Sequence, residues 1–263
     1  MKTKWLLMAL FTLLPFLLPF GAAGQSADEV VAKALAARGG LGRIKAVQAQ
    51  RVTGTISFGI GAEGPFVVEL KRPGKMHMEM TIGGQTVVRV YDGKSAGWII
   101  NPFSENKDVQ PMSADDVKNI SDESDFDGPL VDYKAKGNEI EFVGKEDVEG
   151  KHCYRIKLTN KKGEVRFYLF DAASYQLLKW ESTRKGEDKD YPVESFFRDY
   201  RDVKGIQFAF EIDSDSPGTE QKQKIVVAKL EVDPEIEESR FGKPSPPPPS
   251  ATPPGAGPGA PQN

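Results

Sequence analysis

The chain has 263 residues, 39% of them hydrophobic, a formal charge of −3 and a single cysteine. A mildly acidic chain with scattered charges is no candidate for nucleic acid, and one cysteine excludes an internal disulfide framework. A hydrophobic core must therefore hold the fold together.

At the N-terminus Lys2 and Lys4 precede the apolar run from Trp5 to Phe20, and the small residues Gly21 to Gly24 follow. This is the pattern of a cleavable secretory signal over residues 1–24, and the run is short for a membrane span. No cysteine lies near the cleavage site to accept a lipid. Ser26, with Glu29 three residues on, then predicts a helix whose apolar stripe is Val30, Val31, Ala34 and Leu35 and whose stop is Arg38-Gly39-Gly40. A second short helical piece is expected over Leu41 to Val47.

From Arg51 the hydrophobic period falls to two. VTGTISFGI, PFVVELK, KMHMEMTI, QTVVRVY and SAGWII follow one another across short Gly- or Pro-containing breaks, the pattern of an antiparallel meander. Pro102 to Lys136 loses this alternation and turns acidic. Ser113 with Asp116 predicts a surface helix there, and the carboxylates Asp115, Asp116, Asp122, Glu123, Asp125 and Asp127 read as a solvated face, since DESDFDG lacks the bidentate Glu of a calcium loop. Strands return after Gly137 as NEIEFVGKE, KHCYRIKLT, EVRFYLFD, YQLLKWEST, YPVESFFRDY, IQFAFEID and QKIVVAKLEV.

About a dozen strands with few helices and no strand–helix alternation predict a mainly β fold with accessory helices. A strongly curved, incomplete antiparallel barrel limits exposed edges. One domain spans 25–243, and the stretch 244–263, with 9 of the 19 prolines, reads as a disordered tail.

Alternation assigns an apolar face strand by strand: Ile56, Phe58 and Ile60; Phe66, Val68 and Leu70; Met76, Met78, Met80 and Ile82; Val88 and Val90; then Tyr154, Ile156 and Leu158; Phe167 and Leu169; Phe208 and Phe210. If this face is concave and the helices cover it only in part, these residues line a cavity for an apolar ligand. A filled core has the same periodicity. KMHMEM offers soft ligands for copper, but a strand puts Met76, Met78 and Met80 on one face, about 6.6 Å apart at about 3.3 Å per residue, and His77 on the other. Methionine's adaptable side chain suits an apolar wall better. The sequence holds none of the common hydrolase, phosphate-loop or zinc motifs; no catalytic residue, cofactor or metal site is assigned, and His77 and His152 are expected at polar-facing positions.

Several segments in order resemble the outer membrane lipoprotein-sorting protein group, bacterial relatives of the periplasmic lipoprotein carrier LolA and its receptor LolB. They are ADEVVAKALAARGGLGRIKAVQAQRVTG, LKRPGKMHMEM, VYDGKSAGWIINP, DFDGPLVDYKAKG, VGKEDVEGKHCYRIKLT, FYLFDAASYQLLKWES, DYRDVKGIQFAFEI and ESRFGKP, covering about Ala27 to Pro244. The resemblance implies a curved half-barrel with a helical lid, receiving lipoprotein acyl chains or another lipid, in a periplasmic monomer that deals with inner- and outer-membrane envelope proteins. Ala209 stands where such proteins often carry proline. A non-catalytic carrier is the leading reading; a lipid-sensing regulatory module, an exported copper protein and a filled structural module are the alternatives.

Overall fold

The structure is a computed structural model that describes residues 25–59, 61–184, 190–220 and 222–245. The signal segment, Ile60 and all but the first two residues of the Pro-rich tail lie outside the described residues.

The chain opens with α1 (Ala27–Arg38) and α2 (Leu41–Ala46). It then runs through β1 (Ala49–Phe58), β2 (Glu63–Lys71), β3 (Lys75–Ile82), β4 (Gln85–Tyr91), β5 (Gly97–Ile100) and the two-residue β6 (Gln110–Pro111). After α3 (Ala114–Glu123) come β7 (Glu139–Val148), β8 (Lys151–Thr159), β9 (Val165–Asp171), β10 (Leu177–Arg184), β11 (Tyr191–Val203), β12 (Ile206–Asp215) and β13 (Lys222–Val232). A 3-10 turn, Glu238–Phe241, closes the described chain.

Both expected N-caps form. The Ser26 hydroxyl accepts from the Glu29 amide at 3.2 Å, and Ser113 accepts from Asp116 at 3.1 Å, so each helix starts where a side chain can satisfy a free backbone donor. At the other end of α1, Gly39 takes φ +134°, and a Cβ there would lie 2.4 Å from the Gly205 carbonyl. Glycine lets the helix end abut the β11–β12 turn.

All strands join one antiparallel sheet in the order β6-β5-β4-β3-β2-β1-β13-β12-β11-β10-β9-β8-β7. Two meanders meet at a single seam, where β1 pairs with β13. The sheet does not close, because β6 and β7 end it as edges. It is nonetheless strongly curved, as α3 shows. Arg89 of β4 binds Glu123 at 2.8 Å, and Lys162 of the β8–β9 turn binds Asp122 at 2.5 Å. β4 and β9 stand eight places apart, about 38 Å in a flat sheet at ~4.8 Å per strand. A ten-residue helix is about 15 Å long, so only a wrapped sheet can offer both partners to one helix.

Cross-strand register defines two faces. One carries Ile56, Ile225 and Ile212 in a row, and Trp180, Tyr168 and Ile156 in another, linked through Ser195 and Ser214. This is the concave face, against which the helices pack. Val30, Val31, Ala34 and Leu35 of α1 meet Ile156, Leu158, Tyr168 and Phe170, while Ile120 of α3 meets Leu70, Met76 and Tyr91.

Gly54 lies on the same face at the bulge where β1 and β13 change register. A Cβ at this position would fall 2.1 Å from the Val226 carbonyl and 3.0 Å from the Phe66 ring. Gly54→Ala is expected to destabilise the fold by about 1–3 kcal/mol through overpacking of the seam. An unchanged denaturation midpoint would contradict the close approach.

Candidate functional site

The concave face is covered unevenly. α1 seals β7 to β10 and its end abuts the start of β12, Val47 after α2 packs on Ile206 and Val232, and α3 seals the ends of β2 to β5 nearest it. Beyond these ends the middle strands keep partly exposed apolar residues. There, Val52, Val68, Met78, Met80 and Ile82 on one flank and Phe208, Ile212, Ile225 and Leu230 on the other stay partly exposed. Apolar side chains share this face across the seam and remain accessible to a ligand. The arrangement presents apolar side chains to solvent on both sides of the seam. Among the described residues, no group of three or more His, Cys, Asp and Glu side chains is placed to hold a metal ion, and no helix is long and apolar enough to cross a membrane.

Register brings most of the sequence-assigned residues together. Ile56, Phe66, Val68, Leu70, Met76, Met78, Met80 and Ile82 share the concave face with Tyr154, Ile156, Leu158, Phe208 and Phe210. Phe58, two residues beyond Ile56, continues that face. Within this set Ile156 and Leu158 are sealed under α1 as core. Four residues are corrected. Val88 and Val90 pair with Glu79 and His77, and Phe167 and Leu169 with Lys157 and Arg155, so all four point to the convex side. β4 and β9 carry apolar residues on both faces, and alternation alone cannot choose between them.

His77 is a second correction. It is 4% exposed rather than solvent-facing, and it belongs to a partly buried ionic cluster on the convex side. Its Nε2 meets Glu79 at 2.7 Å and its Nδ1 meets the Arg240 carbonyl at 2.7 Å. Arg240 donates to Glu69 and Glu79, and Arg51 donates to Glu69. Lys71 and Lys75 hold Glu238, and Phe241 is buried beside Ala49 and Ile236. The 3-10 turn is thereby strapped to the outside of β2 to β4. The histidine of KMHMEM binds this strap while the three methionines line the opposite face.

A third correction concerns the last two carboxylates of the acidic segment: Asp115, Asp116, Asp122 and Glu123 are exposed as expected, but Asp125 and Asp127 form a clamp. Asp127 accepts from Arg72 through both oxygens, at 2.7 and 2.8 Å, and the guanidinium lies over Phe126 at 4.8 Å. The hydrogen bonds that Arg72 donates to Asp127 raise the Arg72 pKa. Arg38, at the end of α1, donates to the Asp127 and Phe126 carbonyls; burial pulls its pKa down while Asp127 opposes. Lys136 binds Asp125 at 2.5 Å, and Lys45 binds Asp132 at 2.6 Å. The clamp draws on α1, α2 and the β2–β3 turn, and it carries α3 onto the concave face. No local motif announces it, since Arg72 and Asp127 lie 55 residues apart.

No family model matches the sequence, and no curated protein matches it. Solved structures do. An outer membrane lipoprotein-sorting protein domain from Vibrio parahaemolyticus is 13% identical, with a TM-score of 0.53 over 82% of this chain and 95% of that one. A LolA superfamily protein from Nitrosomonas europaea is 10% identical, with a TM-score of 0.52 over 83% and 98%. A DUF1329 family protein from Desulfovibrio piger is 13% identical, with a TM-score of 0.52 over 82% and 97%. The likeness is one of fold: this chain has the LolA-like half-barrel.

Two outcomes test the geometry. Arg72→Met leaves the buried Asp127 carboxylate without its cation and is expected to cost about 1–3 kcal/mol, discounted for the partial exposure of Arg72, and to speed proteolysis within 112–138. Unchanged cleavage there would remove the clamp.

The strap should respond to acid. Hydrogen bonds from Lys71 and then Lys75 draw Glu238 down to about 2. Burial pushes Glu69 and Glu79 up, but hydrogen bonds from Arg240 and Arg51 to the first, and from His77 and Arg240 to the second, leave both lowered. Carboxyls lowered on folding stabilise fully above their unfolded value near 4.5, and the contribution is lost as pH falls through the folded values. Amide protection at 239–242, corrected for intrinsic exchange, is expected to fall below about pH 4.5, and less steeply in Glu69→Gln. Superimposable profiles for the two proteins would contradict this.

Proposed function

We propose that the chain is a non-catalytic periplasmic carrier that binds the acyl chains of lipoproteins, or of another lipid, on its concave face and takes part in outer membrane lipoprotein sorting. The observation that carries this reading is the uncovered apolar band between α1 and α3, which spans the β1–β13 seam. Its residues differ from ordinary core in remaining partly exposed although helices lie on both sides. The fold shared with a lipoprotein-sorting domain supports the same reading.

Transfer of alkyl chain onto this band supplies about 0.8 kcal/mol per methylene buried, so ten methylenes give roughly 8 kcal/mol before the cost of association. Met78 and Met80 suit a wall that meets chains of varied shape, because the thioether side chain repacks at little cost. α3 has one fully buried apolar residue, Ile120, and among the described residues its two ion pairs, Arg89–Glu123 and Lys162–Asp122, each have an exposed carboxylate partner. It is the element best able to move aside for a ligand. The leader at 1–24 would deliver the domain to the periplasm.

Native mass spectrometry of protein gently purified from its own periplasm is expected to show lipid or lipoprotein adducts. Met78→Glu combined with Ile212→Glu should abolish them by placing charge in the band, while Val226→Glu on the convex side should not. An apo mass for the wild-type protein would sink the reading.

A further inference from the structure

Cross-strand register places several charged side chains on the concave face: Arg89 opposite Met78 is held by Glu123, Arg201 opposite Phe208 is held by Asp199, and Arg166 has no such acidic partner among the described residues. In β9, Arg166 pairs across to Leu158 and Ser182, which places it on the face of Ile156, Tyr168 and Trp180. Its guanidinium lies over the Trp180 ring at 4.5 Å, and among the described residues its one hydrogen-bond contact is the Tyr168 hydroxyl at 3.5 Å. Every other arginine whose side chain is described donates to a carboxylate or a backbone carbonyl: Arg38, Arg43 and Arg72 to carbonyls or Asp127, Arg51 and Arg240 to Glu69, and Arg89, Arg155, Arg198 and Arg201 to their own acidic partners. Among the described residues no carboxylate lies within ion-pair distance of Arg166. Asp125, which acts electrostatically on Tyr168, is already held by Lys136.

A partly buried guanidinium without a counter-charge is costly to keep in an apolar wall. Stacking on Trp180 offsets part of that cost and fixes the plane of the group. Among the described residues the remaining N–H donors have no partner, and they form the fork that matches a phosphate or carboxylate through two parallel hydrogen bonds. Lys162, four residues earlier in the same hairpin, binds α3, so Arg166 stands near the end of the helix that flanks the open band.

We propose that Arg166 is an anion-recognition residue of the concave site and that the ligand is an anionic amphiphile, its phosphate or carboxylate seated on Arg166 and its alkyl chains on the Met78 and Ile212 band. This rests on the carrier reading above and specifies the class of lipid.

The test uses the delipidated full chain, equilibrated with detergent micelles containing equimolar dioleoyl phosphatidylglycerol and diolein, which share acyl chains and differ in headgroup charge. Adducts are read by native mass spectrometry. The wild-type protein is expected to favour phosphatidylglycerol by about tenfold, equivalent to about 1.4 kcal/mol. Arg166→Gln should bring the ratio close to one with diolein uptake unchanged, while Arg166→Lys, which keeps the charge, should retain most of the preference. Equal uptake by the wild-type protein, or an undiminished preference in Arg166→Gln, overturns the assignment and leaves the carrier reading standing. Uptake of neither lipid overturns both. Displacement of the lipid by millimolar inorganic phosphate would mark a free-anion site and also overturn the proposal.

Discussion

A thirteen-stranded sheet has two faces to protect from water, and the described residues place helices on only part of one. That shortage of cover organises the rest. On the convex side, where the described residues place no α-helix, the sheet covers itself with long charged side chains laid across aromatic rings. Arg155 lies over Phe167 at 4.3 Å and bridges Glu146 and Glu181, while Lys179 and Arg198 flank Phe196, each at 5.2 Å. Aliphatic stems shield Leu169 and Cys153 beneath, and the charged heads neutralise one another near solvent. Each exposed pair contributes little by itself, but the lattice lets an apolar strand stay wet on its outer side.

On the concave side α1 and α3 take the two flanks and leave the centre open. The clamp through Arg72, Arg38 and Asp127 decides where α3 lies, and therefore how wide that opening is. Stability and binding are coupled at this point. The same polypeptide segment that closes the core under Ile120 also borders the surface on which a chain can lie.

Much of this was legible in the amino-acid order. Ser26 with Glu29 and Ser113 with Asp116 located both main helices, because a cap is a local hydrogen bond between neighbours in sequence. Alternation located the strands for the same reason. What it could not supply was register between strands. QTVVRVY and VRFYLFD hold adjacent apolar residues, so Val88 and Val90 or Phe167 and Leu169 were as plausible on the inner face as their neighbours until Met78↔Arg89 and Ile156↔Tyr168 settled the pairing. The ionic clusters were equally hidden. Arg240 reaches Glu69 across 171 residues, and His77 is buried only because that distant turn lies over it. Arg166 carries no local signal in the sequence; it is distinctive because every other arginine with a described side chain has a carboxylate or carbonyl partner.

The seam between β1 and β13 also governs when the molecule can become itself. The strand that forms first in the chain sits at the centre of the sheet and waits for the last one, from Gln50↔Val232 to Phe58↔Gln223. Each meander can assemble from neighbours, but the junction closes a loop of most of the domain, an entropically late and slow event. During synthesis or export the half-built sheet presents β1 as a bare edge until residue 232 emerges. In that interval the chain is at its most prone to pair with a copy of itself.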